Sequence, residues 1–150
     1  MSKFKGLSLP SVYRCLPEAE RFLYALLEAR VANLEMNISH QAMPDYLEHI
    51  KFVRSHPYRA WHLIRRDLQP VGTIYATYLN EIGMHLMPTD QGKGIGRWAL
   101  EQFLARMHPL PAIPARRIGA WLANINPANR RSIDFFERAG FALKQYTFQR

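Results

Sequence analysis

The chain has 150 residues, 48% hydrophobic and 21% charged, which is long enough for one domain (residues 1–150) with a hydrophobic core. The single cysteine, Cys15, excludes an internal disulfide and is typical of a reducing compartment, which predicts a cytoplasmic protein. No apolar run is long enough to span a bilayer, and the six histidines lack metal-ligand spacing, so neither a membrane protein nor a metal centre is expected.

The net charge of +8 lies almost entirely in the second part of the chain. Residues 1–90 contain ten Lys or Arg and nine Asp or Glu, a net of +1, whereas residues 91–150 contain ten and three, a net of +7. The basic residues stand singly or in pairs without interleaved aromatic residues, so nucleic acid is not the expected partner. A smaller polyanionic ligand suits this half better, because local positive potential retains phosphates.

The predicted elements follow the order β-α-α-β-β-β-α-β-α-β. Helices are predicted to begin at Pro17, at Pro44, after the glycines near residue 95, and at Pro127 with Asn126 as N-cap and Gly140 as the stop. Strands are predicted over residues 12–16, 60–64, 71–78, 82–87, 117–123 and 141–148. This order implies an α/β (α+β) fold, with a mixed sheet and helices on both faces.

The most informative segment is the loop Gln91-Gly92-Lys93-Gly94-Ile95-Gly96, between the fourth strand and the third helix. A loop in this position directs backbone N–H groups and the positive end of the helix dipole at one spot. Glycine allows the unusual dihedrals and leaves no Cβ to keep phosphate oxygens away. Arg97-Trp98 after the last glycine excludes a Walker loop, and the spacing does not fit a dinucleotide fingerprint. The segment predicts a pyrophosphate cradle, with a plain connector as the alternative.

A second motif lies in the last predicted helix, Asn129-Arg130-Arg131-Ser132-Ile133-Asp134-Phe135-Phe136-Glu137-Arg138-Ala139-Gly140-Phe141. Together the two motifs make residues 10–150 resemble the GNAT superfamily of acyl-CoA-dependent N-acetyltransferases. The resemblance implies a splayed sheet, acetyl-CoA as co-substrate and a small-molecule amine as acceptor. A weaker resemblance of residues 56–61 and 71–75 to acetyltransferases of nucleotide-linked amino sugars suggests an amino sugar.

The resemblance also implies the residues of the site. Those expected to bind acetyl-CoA are Leu86, Met87, Gln91, Gly92, Lys93, Gly94, Ile95, Gly96, Arg97, Asn126, Asn129 and Phe136. A bulge in the fourth strand would direct one amide at the thioester carbonyl. Glu81 matches the position of a general base, with His85 on the same strand face as the reserve. A purely structural role for Glu81 (strand cap or ion pair) and for Asn126 (N-cap) remains the alternative.

Phe136 departs from the family pattern, because many members have a tyrosine there that protonates the leaving thiolate. Ser132, Tyr75, Tyr78 or water would have to supply the proton, or the thiolate leaves unassisted because thiols are fairly acidic. Two alternative functions therefore stay open, an acyl-CoA-binding module without turnover and a protein N-acetyltransferase. A homodimer is a further possibility for the assembly. The lid over the acceptor is expected at residues 33–43, with Asn37, Ser39 and His40 as polar candidates.

Overall fold

A four-stranded antiparallel sheet, with its strands in chain order, forms the centre of a computed structural model that describes residues 3–32 and 42–150. The strands are β1 (Leu7–Ser8), β2 (Ala60–Arg66), β3 (Gln69–Ala76) and β4 (Ile82–Leu86). The helices are α1 (Glu18–Val31), α2 (Tyr46–Arg54), α3 (Ile95–Arg106) and α4 (Arg130–Arg138). None of the helices within these ranges has the length and apolar character needed to cross a membrane.

The two faces of the sheet carry two separate core clusters, because successive side chains of a strand point to opposite faces. On one face α1 and α2 contribute to a cluster of Val12, Ala19, Leu23, Val53, Trp61 and Leu63. On the other, α3 and α4 contribute to a cluster of Ile64, Val71, Ile74, Ala76, Ile82, Ile95, Ala99, Leu100, Phe103 and Phe136. Helices therefore cover both faces, and the predicted fold class is confirmed.

The helix starts differ in detail from those predicted. Asp45 caps α2 through a capping box with Glu48, whose backbone N–H donates to the Asp45 carboxylate at 2.8 Å. α4 begins three residues later than predicted, and its N-cap is Asn129, whose side chain accepts from the Ser132 N–H at 3.1 Å. The predicted N-cap Asn126 is wrong because its side chain accepts from Ala128 in a preceding turn.

Three predicted strands are wrong. Residues 12–16 contain a 3-10 turn over Val12–Arg14, since the Ser11 side chain accepts from the Tyr13 N–H and caps it. Residues 117–123 form only isolated bridges, including the parallel one between Glu81 and Leu122, so the sheet itself is antiparallel. Residues 141–148 form no strand, and Phe148 is 92% exposed, because no strand of the described structure pairs with their backbone.

One buried histidine, His49, and one half-buried histidine, His62, make the stability of the fold depend on pH. Burial lowers the pKa of His49 on α2 and of His62 on β2 from 6.5, although their ring nitrogens lie 2.9 and 3.1 Å from the carbonyl oxygens of Glu20 and Leu9. The unfolded chain therefore binds protons on these side chains at a higher pH than the native protein does. The contribution of the two histidines to the free energy of unfolding is complete above about pH 6.5. It decreases as the pH falls below that value.

We expect the double variant H49Q/H62Q to lose less stability than the wild type when the pH falls from about 7.5 to 5.5. Urea denaturation at both pH values measures the difference, and H108Q, at an exposed histidine, is the control that should behave like the wild type. An equal loss in the double variant and the wild type would contradict the prediction.

Candidate active site

The glycine-rich loop joins β4 to α3 and leaves helix amides without intrahelical partners. Gly94 is the N-cap of α3 at φ 81°, in the left-handed region that favours glycine. The first helical hydrogen bond runs from the Trp98 N–H to the Gly94 carbonyl at 3.1 Å. The N–H groups of Ile95, Gly96 and Arg97 therefore have no acceptor within the helix. Together with the helix dipole they form the kind of site that binds a phosphate.

A series of side-chain hydrogen bonds from α4 holds the start of this loop. Arg131 donates to the side-chain oxygen of Gln91 at 2.9 Å, and Gln91 donates to the Leu86 carbonyl at 3.3 Å. Gly92 has φ 75°, and a Cβ on it would lie 3.0 Å from the Arg131 guanidinium. Arg131 stands inside the second motif, but only the fold shows that it reaches the loop. It adds a cation beside the free amides.

A further cation comes from the N-terminal segment, which no sequence pattern connects with the loop. A Cβ on Gly94 would lie 3.4 Å from the Lys3 ammonium. Lys93 is exposed on the loop itself. The side chain of Arg97, in contrast, pairs with Glu101 at 2.9 Å, so the contribution of Arg97 is its backbone N–H. Basic groups from distant parts of the sequence thus surround the predicted cradle.

β4 is the edge strand of the sheet, and its outer edge offers backbone groups to a ligand. The Ile82 N–H bonds to the Leu122 carbonyl at 2.8 Å, on the side away from β3. The N–H and C=O groups of successive residues in an antiparallel strand point to opposite edges. Those of Met84 and Leu86 therefore point away from β3, as the Ile82 N–H does. No described strand pairs with that edge beyond the bridge at Leu122. The sheet is open there, as the resemblance implies.

Two details of this edge differ from the expectation. The Met87 N–H bonds to the Val71 carbonyl at 2.9 Å, so the outward amide next to the loop is that of Leu86. The implied bulge in β4 is absent, because β3 and β4 pair without a register shift from Gly72 and Leu86 to Ala76 and Ile82. The register shift of this sheet lies between β2 and β3, where Ile64 pairs with Gly72 and Arg65 with Pro70, so the extra residue is Val71 of β3. The edge amides of β4 are thus regular strand amides.

Glu81, just before β4, is half-buried and held by neutral donors. Its Oε1 accepts from the Thr77 hydroxyl at 3.2 Å, and its Oε2 accepts from the side-chain amide of Asn124. The ion pairs of the described residues do not include Glu81. The carboxylate is therefore fixed in direction without being neutralised by a cation. Asn124 lies 43 residues away in sequence, so no local pattern marks it.

The predicted reserve base shares a sheet face with an aromatic residue of β3. Tyr75 pairs with Gly83 and Thr73 with His85, which places all four on the face covered by α1 and α2. The Tyr75 phenol lies directly over Gly83, where any Cβ would overlap the ring. The ring centroids of Tyr75 and His85 are 6.3 Å apart.

Tyr75 and Tyr58 form a stacked, protonated pair of phenols. Their ring centroids are 3.9 Å apart with an interplanar angle of 11°. Burial raises the pKa of both phenols above the usual 10, so both keep their protons at neutral pH. Of the proton donors considered from the sequence, Tyr75 is the one on this face, whereas Tyr78 is 59% exposed.

A cavity of about 380 Å³ lies between this sheet face and helices α1 and α2. Trp61, Tyr75 and His85 form part of its sheet wall, and leucines of α1 face them. Besides the His85 ring and the phenols of Tyr58 and Tyr75, its polar and charged lining includes Arg30, Glu48, His49 and Thr73. Ala42 and Met43, at the end of the predicted lid, also line it, whereas Asn37, Ser39 and His40 lie outside the described residues.

Phe136 and the two asparagines have structural roles. Phe136 is buried and packs against Phe135 and Phe141 with ring centroids 5.1 Å away in each case. Its neighbour Phe135 lies 3.5 Å from where a Cβ on Gly96 would lie. Asn129 caps α4 with its side-chain oxygen, and Asn126 forms the preceding turn.

Comparison with known proteins assigns the family. The model of the acetyltransferase (GNAT) family matches residues 23–141. No curated protein matches the chain.

Solved structures share the fold at low identity. An acetyltransferase from Thermus thermophilus is 20% identical with a TM-score of 0.67, covering 91% of this chain and 86% of that one. RimL, a ribosomal L7/L12 alpha-N-protein acetyltransferase in complex with coenzyme A, is 20% identical with a TM-score of 0.69, covering 94% and 82%. The Campylobacter jejuni N-acetyltransferase PseH in complex with acetyl-CoA is 12% identical with a TM-score of 0.61, covering 94% and 92%. With its open sheet edge and glycine-rich loop, the chain belongs to the GNAT family of acetyltransferases, whose co-substrate is acetyl-CoA.

Proposed function

We propose that the protein transfers an acetyl group from acetyl-CoA to a primary amine of a small molecule, by direct attack of the amine on the thioester. The observation that carries this proposal is the position of the cavity. It shares one sheet face with Tyr75 and His85, next to the edge strand that leads into the loop. A volume of about 380 Å³ suits a small molecule rather than a folded protein surface.

In this proposal the loop and the edge strand hold the co-substrate. The amides of Ile95, Gly96 and Arg97 would donate to the pyrophosphate, with Lys3 and Arg131 adding positive charge. The outward backbone groups of Met84 and Leu86 would pair with the pantetheine arm. Acetyl-CoA supplies an activated acyl group, and the protein supplies the orientation.

The reacting groups follow from the same geometry. Glu81 would accept a proton from the substrate ammonium, directly or through one water, because it is half-buried and its oxygens are held by Thr77 and Asn124. The amine nitrogen then bonds to the acetyl carbon while an edge N–H donates to the carbonyl oxygen. As the carbon–sulfur bond breaks, the protonated Tyr75 would give its proton to the thiolate, and the resulting phenolate would take up the second proton of the attacking nitrogen, directly or through a water, which leaves a neutral amide and a neutral thiol. This arrangement replaces the hydroxyl that Phe136 lacks.

Binding of acetyl-CoA is tested by thermal unfolding with and without the ligand. A hundredfold excess over Kd stabilises a native protein by about 2.7 kcal/mol, so we expect a clear rise in Tm. G94A should reduce that rise, because a Cβ would crowd the phosphate and strain the backbone at φ 81°. G140A is the matched control, since Gly140 has φ 92° with open space around it and lies outside the loop. It should lose stability yet keep the full ligand-induced rise.

Transfer itself is tested by release of free thiol from acetyl-CoA with a panel of small amines. Turnover with at least one amine separates an enzyme from a binding module. If the Tm rises with acetyl-CoA but no amine releases thiol, the proposed transfer is wrong.

A further inference from the structure

We infer that the acceptor amine also carries an anionic group, which Arg30 binds, and an apolar body, which the leucines and aromatic residues of the cavity enclose. The inference rests on the proposed function, because it names the chemistry of the amine that the same cavity would hold. A carboxylate and a phosphate share the relevant chemistry, since both accept paired hydrogen bonds from a guanidinium.

Arg30 is a cation on the cavity wall for which the described residues provide no carboxylate. Their ion pairs join Arg54, Arg65, Arg97 and Arg130 to acidic side chains, but not Arg30. Burial lowers the pKa of Arg30, which reflects the cost of holding its charge away from water. The ionisable groups that act on it, Tyr75 and Tyr58, are neutral phenols and do not balance the charge.

A part of this cost is offset within the protein itself. Arg30 lies in the last turn of α1, where the helix dipole favours a cation by roughly 0.3–1 kcal/mol. That position explains why an arginine is tolerated there. It does not provide the hydrogen-bond acceptors that a guanidinium with five N–H donors requires. A ligand anion in the cavity would provide them.

The other charged groups of the lining do not serve as partners. The Glu48 side chain accepts from the Asp45 N–H at 3.1 Å, as part of the capping box at the exposed start of α2. The His49 ring contacts the Glu20 carbonyl, and burial lowers its pKa, so it is neutral. The carboxylate of Glu20 is paired with Arg54 at 3.0 Å.

The remaining residues of the cavity wall determine the chemical character of the rest of the acceptor. Leu23, Leu26 and Leu27 of α1 face Phe52 and Trp61 across the cavity. Such walls bind an aliphatic or aromatic body and offer few hydrogen bonds to a hydroxyl-rich one. A polyamine would bring a second cation towards Arg30 and would be repelled. An amine with one anionic group would be attracted and oriented instead.

Matched pairs of amines test this inference by kcat/KM at saturating acetyl-CoA. Phenylalanine and 2-phenylethylamine differ only by the carboxylate, while tyramine O-phosphate and tyramine, with the same aromatic body, differ only by the phosphate. We expect the anionic member of at least one pair to be preferred by about tenfold or more, and spermidine to be the poorest substrate. The pair that shows the preference identifies the anion.

The variant R30Q should abolish that preference by lowering kcat/KM for the anionic amine by a much larger factor than for its neutral partner. R30K should restore part of it, because it keeps the charge and loses the paired hydrogen bonds. An unchanged Tm rise with acetyl-CoA shows that R30Q is folded. Equal kcat/KM for both members of both pairs would overturn this inference but not the proposed function. An equal loss of kcat/KM for both members in R30Q would do the same. Absence of thiol release with every amine overturns the proposed function as well.

Discussion

E81Q is expected to lower kcat by about a hundredfold to a thousandfold and to leave the Tm rise with acetyl-CoA intact. Glutamine has the shape of glutamate, and its oxygen can still accept from Thr77 while Asn124 turns its own amide oxygen towards the new NH2, but the glutamine amide cannot accept a proton from the ammonium. The free amine present at equilibrium would then carry the residual rate. Steady-state thiol release across the pH range measures both the loss and the shape of the profile.

Two further variants make this test specific. T77V removes one hydrogen bond to the carboxylate without removing the base, so it should cost only about tenfold. H85Q removes the reserve base from the same sheet face and should have a smaller effect than E81Q. If E81Q turns over at the wild-type rate at every pH, Glu81 is not the base. A large loss in H85Q would then assign that role to His85.

Local patterns in the sequence are sufficient to predict the glycine-rich loop and the helix that follows it. The alternating glycines before residues 95–106 predict an anion-binding turn, and Gly92 and Gly94 do have the positive φ values that only glycine adopts readily. Ile95, Ala99 and Phe103, spaced four residues apart in the sequence, lie on the buried face of α3. These features depend on residues within a few turns of each other, so a single sequence contains all the information needed.

The groups that surround the reacting centre could not be predicted in this way. Asn124 reaches Glu81 from 43 residues away, and Arg131 reaches Gln91 from 40. Arg30 lies in an ordinary amphipathic helix, where it looks like a solvent-exposed charge. Only the packing of α1 on the sheet places it on the wall of the cavity. Contacts of this kind depend on topology, which local periodicity does not encode.

The wrongly predicted strands show the same limit of local sequence patterns. Residues 141–148 are rich in the apolar and aromatic residues that strands favour, yet Leu143 and Tyr146 are 69% and 77% exposed. Such a composition states only that a segment suits a sheet, while a strand also needs a neighbour to satisfy its backbone. Residues 117–123 likewise meet β4 only at Leu122.

Asn80, which precedes the proposed base, is expected to be among the residues most important for stability. It is fully buried at φ 64°, and its side-chain amide donates to the carbonyls of Leu110 and Ile118 at 2.9 and 2.8 Å. Its side-chain oxygen accepts from the Leu110 N–H at 2.7 Å. N80A removes all three bonds, each worth about 1 kcal/mol net, and leaves their partly buried backbone partners without the Asn80 side chain. We therefore expect the free energy of unfolding to fall by about 3 kcal/mol, measured by urea denaturation.

N80G separates the hydrogen bonds from the backbone strain, because glycine adopts φ 64° freely but makes none of the three bonds. Its loss should be within about 1 kcal/mol of that of N80A if the bonds dominate, and near zero if strain does. Both variants should also lower kcat. The Leu122 N–H bonds to the Asn80 carbonyl at 2.9 Å, and Asn124, two residues later, orients Glu81. A destabilised variant with an unchanged kcat would show that the loop carrying Asn124 positions the base independently of Asn80.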